Sequence, residues 1–582
     1  MGRATHVVQE DPLERGIAMV APPFALEKPP RSSRTKEEIG RERLCNGVNQ
    51  MRSAGLAVLA LVVVLLLCSC TVGPNFVKPG TAVSPAWLDA DDWRVKTGPA
   101  EYRAWWKAFN DPVLDRLIER AYQGNLSLRI AGVRVLEARA QLGIAVGRLY
   151  PQAQQAFGSL QEIRTSERSA LGAIVGSSPL PRVDNIFDYW QDQIGVSASW
   201  EIDFWGKFRR AIESADANLR ATMADYDSAL VSLTADVTNS YIAIRTLEKR
   251  LAIARQAVET QKESLKIAED RLRYGMAPRL DVEQAKTLLN DTSAAIPALE
   301  AQLRQAKNSL SLLLGMLPGD LTEILQGSSE IPVAPPEIVV GIPNDLLRRR
   351  PDIRSVEYQA AAQSAQIGMA KADLYPAFSL TGTFGFLSTN VSDFKLSNMF
   401  NWDSRTFQWG PSAQWNIFNY GRITNNVRVQ DARLEQLLIA YQNTVLKAHK
   451  EVEDALVAYL KAQERAEFLN RSTAAARNTL DFAIDQYREG LKDFTTVLIA
   501  QQALLSEQDN LTITLGNLSS NLVAVYRGLG GGWEIREGRE LVPHQITDEM
   551  AKRTDWGTLL TPASFEKIAP EERKSSIRLP EW

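Results

Sequence analysis

Between Leu219 and Leu251 apolar side chains recur at steps of three and four, through Met223, Tyr226, Leu230, Leu233, Val237, Tyr241, Ile244 and Leu247. A second stretch keeps the same rhythm from Leu434 through Leu438, Tyr441, Val445, Ala448, Val452 and Leu456 to Tyr459. Such steps lay one apolar stripe along a helix and sustain it over many turns. No proline falls between Gly206 and Gly275 or between Gly421 and Gly490, and the glycines of each pair stand 69 positions apart. Each stretch predicts a helix about 100 Å long at 1.5 Å per residue. A single globular core has no use for such a rod. Shorter helical patterns flank each one, at 113–148 and 280–314 around the first and at 352–373 and 495–527 around the second. Gly275 and Gly490 suit helix C-caps, where a left-handed backbone favours glycine. Pro278 suits the start of the returning helix. Each rod thus turns back sharply at its far end.

Elsewhere the period drops to two. "FSLTGTFGF" (378–386) sets Phe378, Leu380, Phe384 and Phe386 on one face and Ser379, Thr381 and Thr383 on the other. "IGVSASWEI" (194–202) alternates in the same way, 408–417 moderately and 153–161 poorly. These are strands with one apolar and one polar face, joined in pairs by long loops at 162–190 and 389–406. Four such strands cannot close a barrel. A barrel in lipid must close, because lipid satisfies no free sheet edge. Three chains would supply twelve strands and a continuous cylinder of helices.

The pattern is written twice. "QLGIAVGRLYPQ" (141–152) returns as "QIGMAKADLYPA" (366–377), an offset of 225. "SWEIDFWGKFRRA" (199–211) aligns with "QWNIFNYGRITNN" (414–426) at an offset of 215, which also sets Gly275 on Gly490 and Leu314-Gly315 on Leu529-Gly530. The first copy therefore carries ten more residues between its Tyr-Pro and its Trp. The unit is about 200 residues long, against roughly 20–50 for solenoid repeats. A Pro-rich segment, 316–344, joins the copies.

The N-terminal region has a different character. "MRSAGLAVLALVVVLLLCSC" (51–70) places a basic residue before an apolar run and a small residue before Cys70, the layout of a secretory signal. The run from Ala54 to Leu67 is shorter than the span of about 20 residues that crosses a membrane. "LCSC" resembles a lipobox, so Cys70 is expected to be lipidated and to become the first residue. Thr71 follows it rather than aspartate, which permits export to the outer membrane. Residues 1–50 read as a misassigned start or a dispensable extension, 51–69 as the signal peptide and 70–104 as an N-terminal anchor segment. The first repeat is 105–315, the second 345–533, and a polar tail, 534–582, has no reading.

A net charge of −3 gives no basic field for nucleic acid. The three cysteines, Cys45, Cys68 and Cys70, leave nothing beyond them to form a disulfide. After processing, His449 and His544 are the histidines that remain. No metal-spaced pair, thiol nucleophile or phosphate loop is written, so no catalysis, metal or cofactor is expected. "GGG" (530–532) reads as a chain break after a helix, and "RRRPD" (348–352) as structural.

Long phrases then carry a resemblance: "CTVGPNFVKP" (70–79), "WWKAFNDPVLDRLIERAYQGNLSLRIA" (105–131), "GIPNDLLRRRPDIRSVEYQAAAQSAQIGMAKADLYP" (341–376) and "YRGLGGGW" (526–533). Over about 70–533 the chain resembles the outer membrane factors of the TolC-like superfamily, more narrowly the NodT or OprM type of efflux lipoprotein. The resemblance implies a mainly α protein with a small β part. It implies a homotrimer with a twelve-stranded outer-membrane barrel and a long periplasmic helical barrel, internally duplicated. It implies passive export of small molecules, with a periplasmic adaptor (membrane fusion protein), an inner-membrane transporter of the resistance-nodulation-division type and outer-membrane lipid as partners.

The resemblance also implies two kinds of site. The hairpin turns, with Arg273 and Gly275 in one and Arg488 and Gly490 in the other, would meet the adaptor tip to tip. The periplasmic aperture would lie just inside the returning helices, at Asp281 in "RLDVEQ" (279–284) and at Asp493, Thr496 and Ile499 around "FTTVLI" (494–499). Helix capping is an equal reading of Asp281. A periplasmic adaptor or a structural long-helix lipoprotein is the rival reading. An adaptor has one hairpin flanking a compact β domain, whereas this chain has two hairpins, each with its own amphipathic strands.

Overall fold

The computed structural model describes residues 71–80, 83–98, 102–166, 168, 186–391 and 395–560. The chain divides into two units, Met1–Cys68 and Ser69–Trp582, and every described residue belongs to the second. The extension 1–50, the signal-like segment 51–69 and Cys70 lie outside the described residues.

In chain order the elements are β1 (Val95–Thr97), α1 (Pro112–Gly124), α2 (Leu126–Gly147), β2 (Ala153–Arg164), β3 (Asp188–Ile202), α3 (Lys207–Arg273) and α4 (Arg279–Leu313). Then come β4 (Ile338–Val340), α5 (Pro351–Ala372), β5 (Ala377–Thr389), β6 (Arg405–Gln414), α6 (Arg422–Arg488), α7 (Phe494–Gly528) and α8 (His544–Arg553). The two rods, α3 and α6, are each 67 residues long. The returning helices α4 and α7 are each 35, and α2 and α5 each 22. The duplication read from the sequence is thus a duplication of elements.

One expectation fails. The helix read over 113–148 is two helices, broken at Asn125, whose backbone is extended (φ −64°, ψ 121°). Its side-chain oxygen accepts from the Leu128 amide at 2.9 Å, and its amide donates to the Leu313 carbonyl at 2.9 Å. The end of α4 docks on this joint so closely that a Cβ on Gly124 or Gly315 would strike the other strand of chain. An N-cap asparagine and a tertiary contact override a helical pattern that continues through them.

The four longer strands form one antiparallel sheet in the order β2-β3-β5-β6. Its register brings the two apolar faces together: Ile194 opposes Phe386, Val196 opposes Phe384, and Phe384 opposes Phe407. This face is bare, with Val196, Phe384, Phe407 and Trp409 exposed. β2 alternates poorly because Phe157 turns to the polar face, opposite Gly195 and beside the space left by its missing side chain. β3 begins at Asp188, earlier than the alternation showed, and β6 ends at Gln414, where Trp415 turns to donate its indole to the Leu374 carbonyl at 3.0 Å. β2 and β6 are the edges and have no partner among the described residues.

The core lies midway along the rods. Trp105, Trp106 and Phe109 pack there with Leu114, Tyr241 and Tyr459, and Trp105 stacks on Tyr526 at 5.3 Å. Two features around it were not legible. β1 pairs in parallel with β4, tying the N-terminal segment to the Pro-rich linker. The tail beyond 533 adds Ile535, Leu541, Val542 and Met550 to the core. Arg536 makes a two-pronged bond to the buried Asp227, whose carboxyl burial pushes above its ordinary value. Arg350 from "RRRPD" donates to the Gly528 carbonyl at 2.9 Å and pairs with Asp352 and Glu451, so the motif fastens the end of α7.

Candidate functional site

The ends of the two hairpins come together in one packed body. α3 and α6 close with the same capping motif. Gly275 donates to the Leu272 carbonyl and Met276 to the Arg271 carbonyl, at 3.0 and 2.8 Å. Gly490 and Leu491 do the same to Tyr487 and Gln486, at 3.1 and 2.8 Å. This pair of bonds satisfies carbonyls that a helix end leaves free. It requires φ of +71° at Gly275 and +75° at Gly490. Space around both is ample, so backbone conformation rather than crowding selects glycine there.

Ala268, Val282, Ala285, Leu480, Ala483, Phe494 and Val497 form a core beneath the two turns. Tyr487 is buried in it beside Phe494. A polar link crosses above. Arg271, from the first hairpin, donates to the carbonyls of Tyr487 and Arg488 in the second, and its guanidinium lies 4.7 Å from the Tyr487 ring centre. Tyr487 returns the contact by donating its hydroxyl to Asp281 at 3.4 Å. Burial, and then the Asp281 charge, push the Tyr487 hydroxyl up to about 12. Burial also raises the Asp281 carboxyl; the Tyr487 bond opposes that rise and the Asp493 charge adds to it.

The residues named from sequence divide here. Arg273 and Arg488 pair with Asp270 and Asp485 one turn back, at 3.4 and 3.8 Å on the exposed surface, and leave the free carbonyls to Arg271. Asp493 caps the start of α7, whereas Asp281, in the first turn of α4, makes no capping bond. The Asp493 carboxylate accepts from the Thr496 amide at 3.1 Å and hydroxyl at 2.7 Å, and these bonds hold it below its ordinary value. Ile499 stands exposed on α7. Tyr274, Met276, Leu280 and Leu491 are exposed around the turns and went unnamed from sequence. So did Arg271 and Tyr487. They align with Gln486 and Leu272 at the offset of 215, so the link forms where the two copies differ. Most positions around the turns differ between the copies, so no sequence signal singles these two out.

Asp281 supplies a prediction. Its folded carboxyl titrates above its ordinary 3.8, so ionised Asp281 costs the hairpin ends stability above that range and acidification through it relieves the cost. Asp281→Asn is therefore expected to melt no lower than the parent at neutral pH, and to lose the gain the parent shows on acidification. Thermal melts against pH check this; an Asn variant that melts lower at neutral pH contradicts it.

Comparison with known proteins follows the same geometry. The family model described as "Outer membrane efflux protein" matches residues 117–316 and 342–531, one segment for each repeat. Nodulation protein T of Rhizobium leguminosarum bv. viciae is 30% identical over 476 residues, covering 81% of this chain and 93% of that protein. The pyoverdine export outer membrane protein OpmQ of Pseudomonas putida is 31% identical over 480 residues, covering 82% and 97%. Among solved structures the outer-membrane channel OprN is similar at a TM-score of 0.72 and 33% identity, over 80% of this chain and all of that one.

Proposed function

This chain belongs to the outer membrane efflux protein family, and from that premise we propose that three copies close into one conduit, a twelve-stranded barrel continued by six helical hairpins. The chain is an outer-membrane efflux channel of a Gram-negative bacterium. The trimer reading is carried by one observation, a face that is covered once and bare once. Ala224, Val231 and Ile242 on α3 are buried. Their counterparts at the offset of 215 on α6, Ile439, Leu446 and Val457, are 57, 65 and 43% exposed. At the head of α3, Trp205 stacks on Tyr375 at 4.5 Å and donates to the Pro376 carbonyl at 2.8 Å. The counterpart of Trp205 is Tyr420, wholly exposed, and that of Tyr375 is Tyr150. A second copy offers Tyr150 to Tyr420 as the first half of the chain offers Trp205 to Tyr375. The two free strand edges pair by the same step.

The membrane-free ends serve two roles in this reading. The exposed Tyr274, Met276, Leu280 and Leu491, with Arg273, Gly275, Arg488 and Gly490 among them, meet a periplasmic adaptor that an inner-membrane transporter of the resistance-nodulation-division type drives. The link of Arg271, Tyr487 and Asp281 holds the aperture closed, with Ile499 next inside. Cys70 carries the lipid. What supports this is its neighbour: Thr71 packs on Gly206, Val72 donates to the Trp205 carbonyl at 3.0 Å, and Arg210 gathers Asn75 at 2.8 Å, all where sheet and helices join. The mature N-terminal peptide is expected to show an acylated Cys70 by mass spectrometry; an unmodified peptide beginning upstream of Thr71 refutes it.

The trimer is tested by cross-linking. The chain has no cysteine beyond Cys70. A variant carrying Tyr150→Cys and Tyr420→Cys is expected to run as a covalent trimer after mild oxidation in the outer membrane, and either single variant as a monomer. Monomer alone from the double variant, in membranes where the protein is folded, refutes the arrangement.

A further inference from the structure

The registers of the sheet run without a break, so side-chain parity holds across all four strands. Opposite the aromatic face stands a face of Gln155, Ser197, Ser199, Thr381, Thr383 and Gln408, with Gly195, Gly385 and Gly410 between them; Phe157 and, toward the far end, Ile163, Tyr189 and Leu387 share its parity. Among the described strand residues this face carries formal charge at one place, Glu201, at the end nearest the helices, where Lys207 approaches to 3.7 Å. The other charged strand residues, Glu162, Arg164, Asp188, Asp192 and Arg405, have the opposite parity and sit toward the far end of the sheet.

We propose that the barrel interior is a hydroxyl- and amide-lined conduit without fixed charge beyond Glu201, and that its cargo class is hydrogen-bonding small molecules accepted irrespective of charge. This rests on the trimeric barrel reading, which turns the polar face to water. Threefold repetition would triple any charge placed here, and a low-dielectric lipid wall would focus its field along the axis. A ring of carboxylates would then favour cations, and a ring of guanidinium groups anions. Serine, threonine and glutamine both donate and accept hydrogen bonds. They offer hydrogen bonds to a sugar, an amide, a zwitterion or an ion of either sign. Discrimination by charge is left to the helical end.

Single cysteines test both levels. Ser197→Cys and Thr383→Cys are expected to react with water-borne methanethiosulfonates, and Val196→Cys and Phe384→Cys, facing lipid, to stay unmodified. At the reactive positions the rate with the trimethylammonium reagent over that with the sulfonate reagent, divided by the same ratio for a free thiol, is expected to stay within about threefold of one. A departure beyond about tenfold in either direction overturns the neutral conduit. Reaction at Val196→Cys and Phe384→Cys with none at Ser197→Cys and Thr383→Cys overturns the barrel reading beneath it, and the proposal with it.

Discussion

Arg271→Ala is expected to open the channel. In the structure the guanidinium bridges the two hairpin ends through the carbonyls of Tyr487 and Arg488, over the Tyr487 ring that in turn holds Asp281, the link proposed to keep the aperture closed. Hydrogen bonds from a charged donor contribute about 1.5–3 kcal/mol each in such settings. Removing even one such bond from the closed state alone multiplies the ratio of open to closed channels by about 10- to 150-fold. Purified protein in planar bilayers should show long-lived high-conductance openings that the parent shows rarely. Cells should become sensitive to large antibiotics that the closed channel excludes. Tyr487→Phe keeps the ring beneath the guanidinium and the backbone carbonyl that accepts from it, and loses only the bond to Asp281. It is expected to shift the ratio less. Unchanged conductance in Arg271→Ala, with the trimer intact, removes this link from the gate.

The second large effect is on the turns. Gly490→Val puts a β-branched side chain at φ +75°, a conformation that costs L-residues about 1–2 kcal/mol. The added Cβ would stand 3.6 Å from the Arg271 guanidinium, an ordinary contact, so the main cost falls on the last turn of α6 and not on the fold. With Gly275→Val added, both hairpin ends of each chain must adopt another turn. Export is expected to fall at least tenfold, while trimer yield and melting temperature in detergent hold, since the body of the rods is untouched. Full export from the doubly substituted protein means the hairpin ends do not dock through these turns.

Most of the architecture could be read before the structure. The rods, their lengths and their turning points follow from uninterrupted three-four spacing bounded by glycines, a local signal that no tertiary contact overrides. The apolar faces of β3 and β5 were read correctly because both alternate cleanly; β2 was obscured because Phe157 uses the space left by Gly195 on β3. The same dependence on distant partners hid the break at Asn125 and the pairing of β1 with β4, each three residues long. At the hairpin ends the turn glycines were legible as punctuation. Arg271 and Tyr487 were not, because their roles come from a contact between residues 216 positions apart. Asp493 and Thr496 show the converse: residue types suited to an aperture are also those that cap a helix.

The pairing of β3 with β5 joins Ile202 to Phe378, and α5, which fills the space beside α3, follows the linker. A ribosome therefore delivers the whole first repeat, α4 included, before any residue that completes its sheet or its helix packing exists. At about 5–20 residues per second the wait is roughly ten seconds or more. During that interval the apolar side of a long helix and an amphipathic hairpin stand uncovered, and non-local contacts of this kind are slow to form once their partners arrive. The duplicated design thus leaves the first half without its packing partners until the second half reaches it.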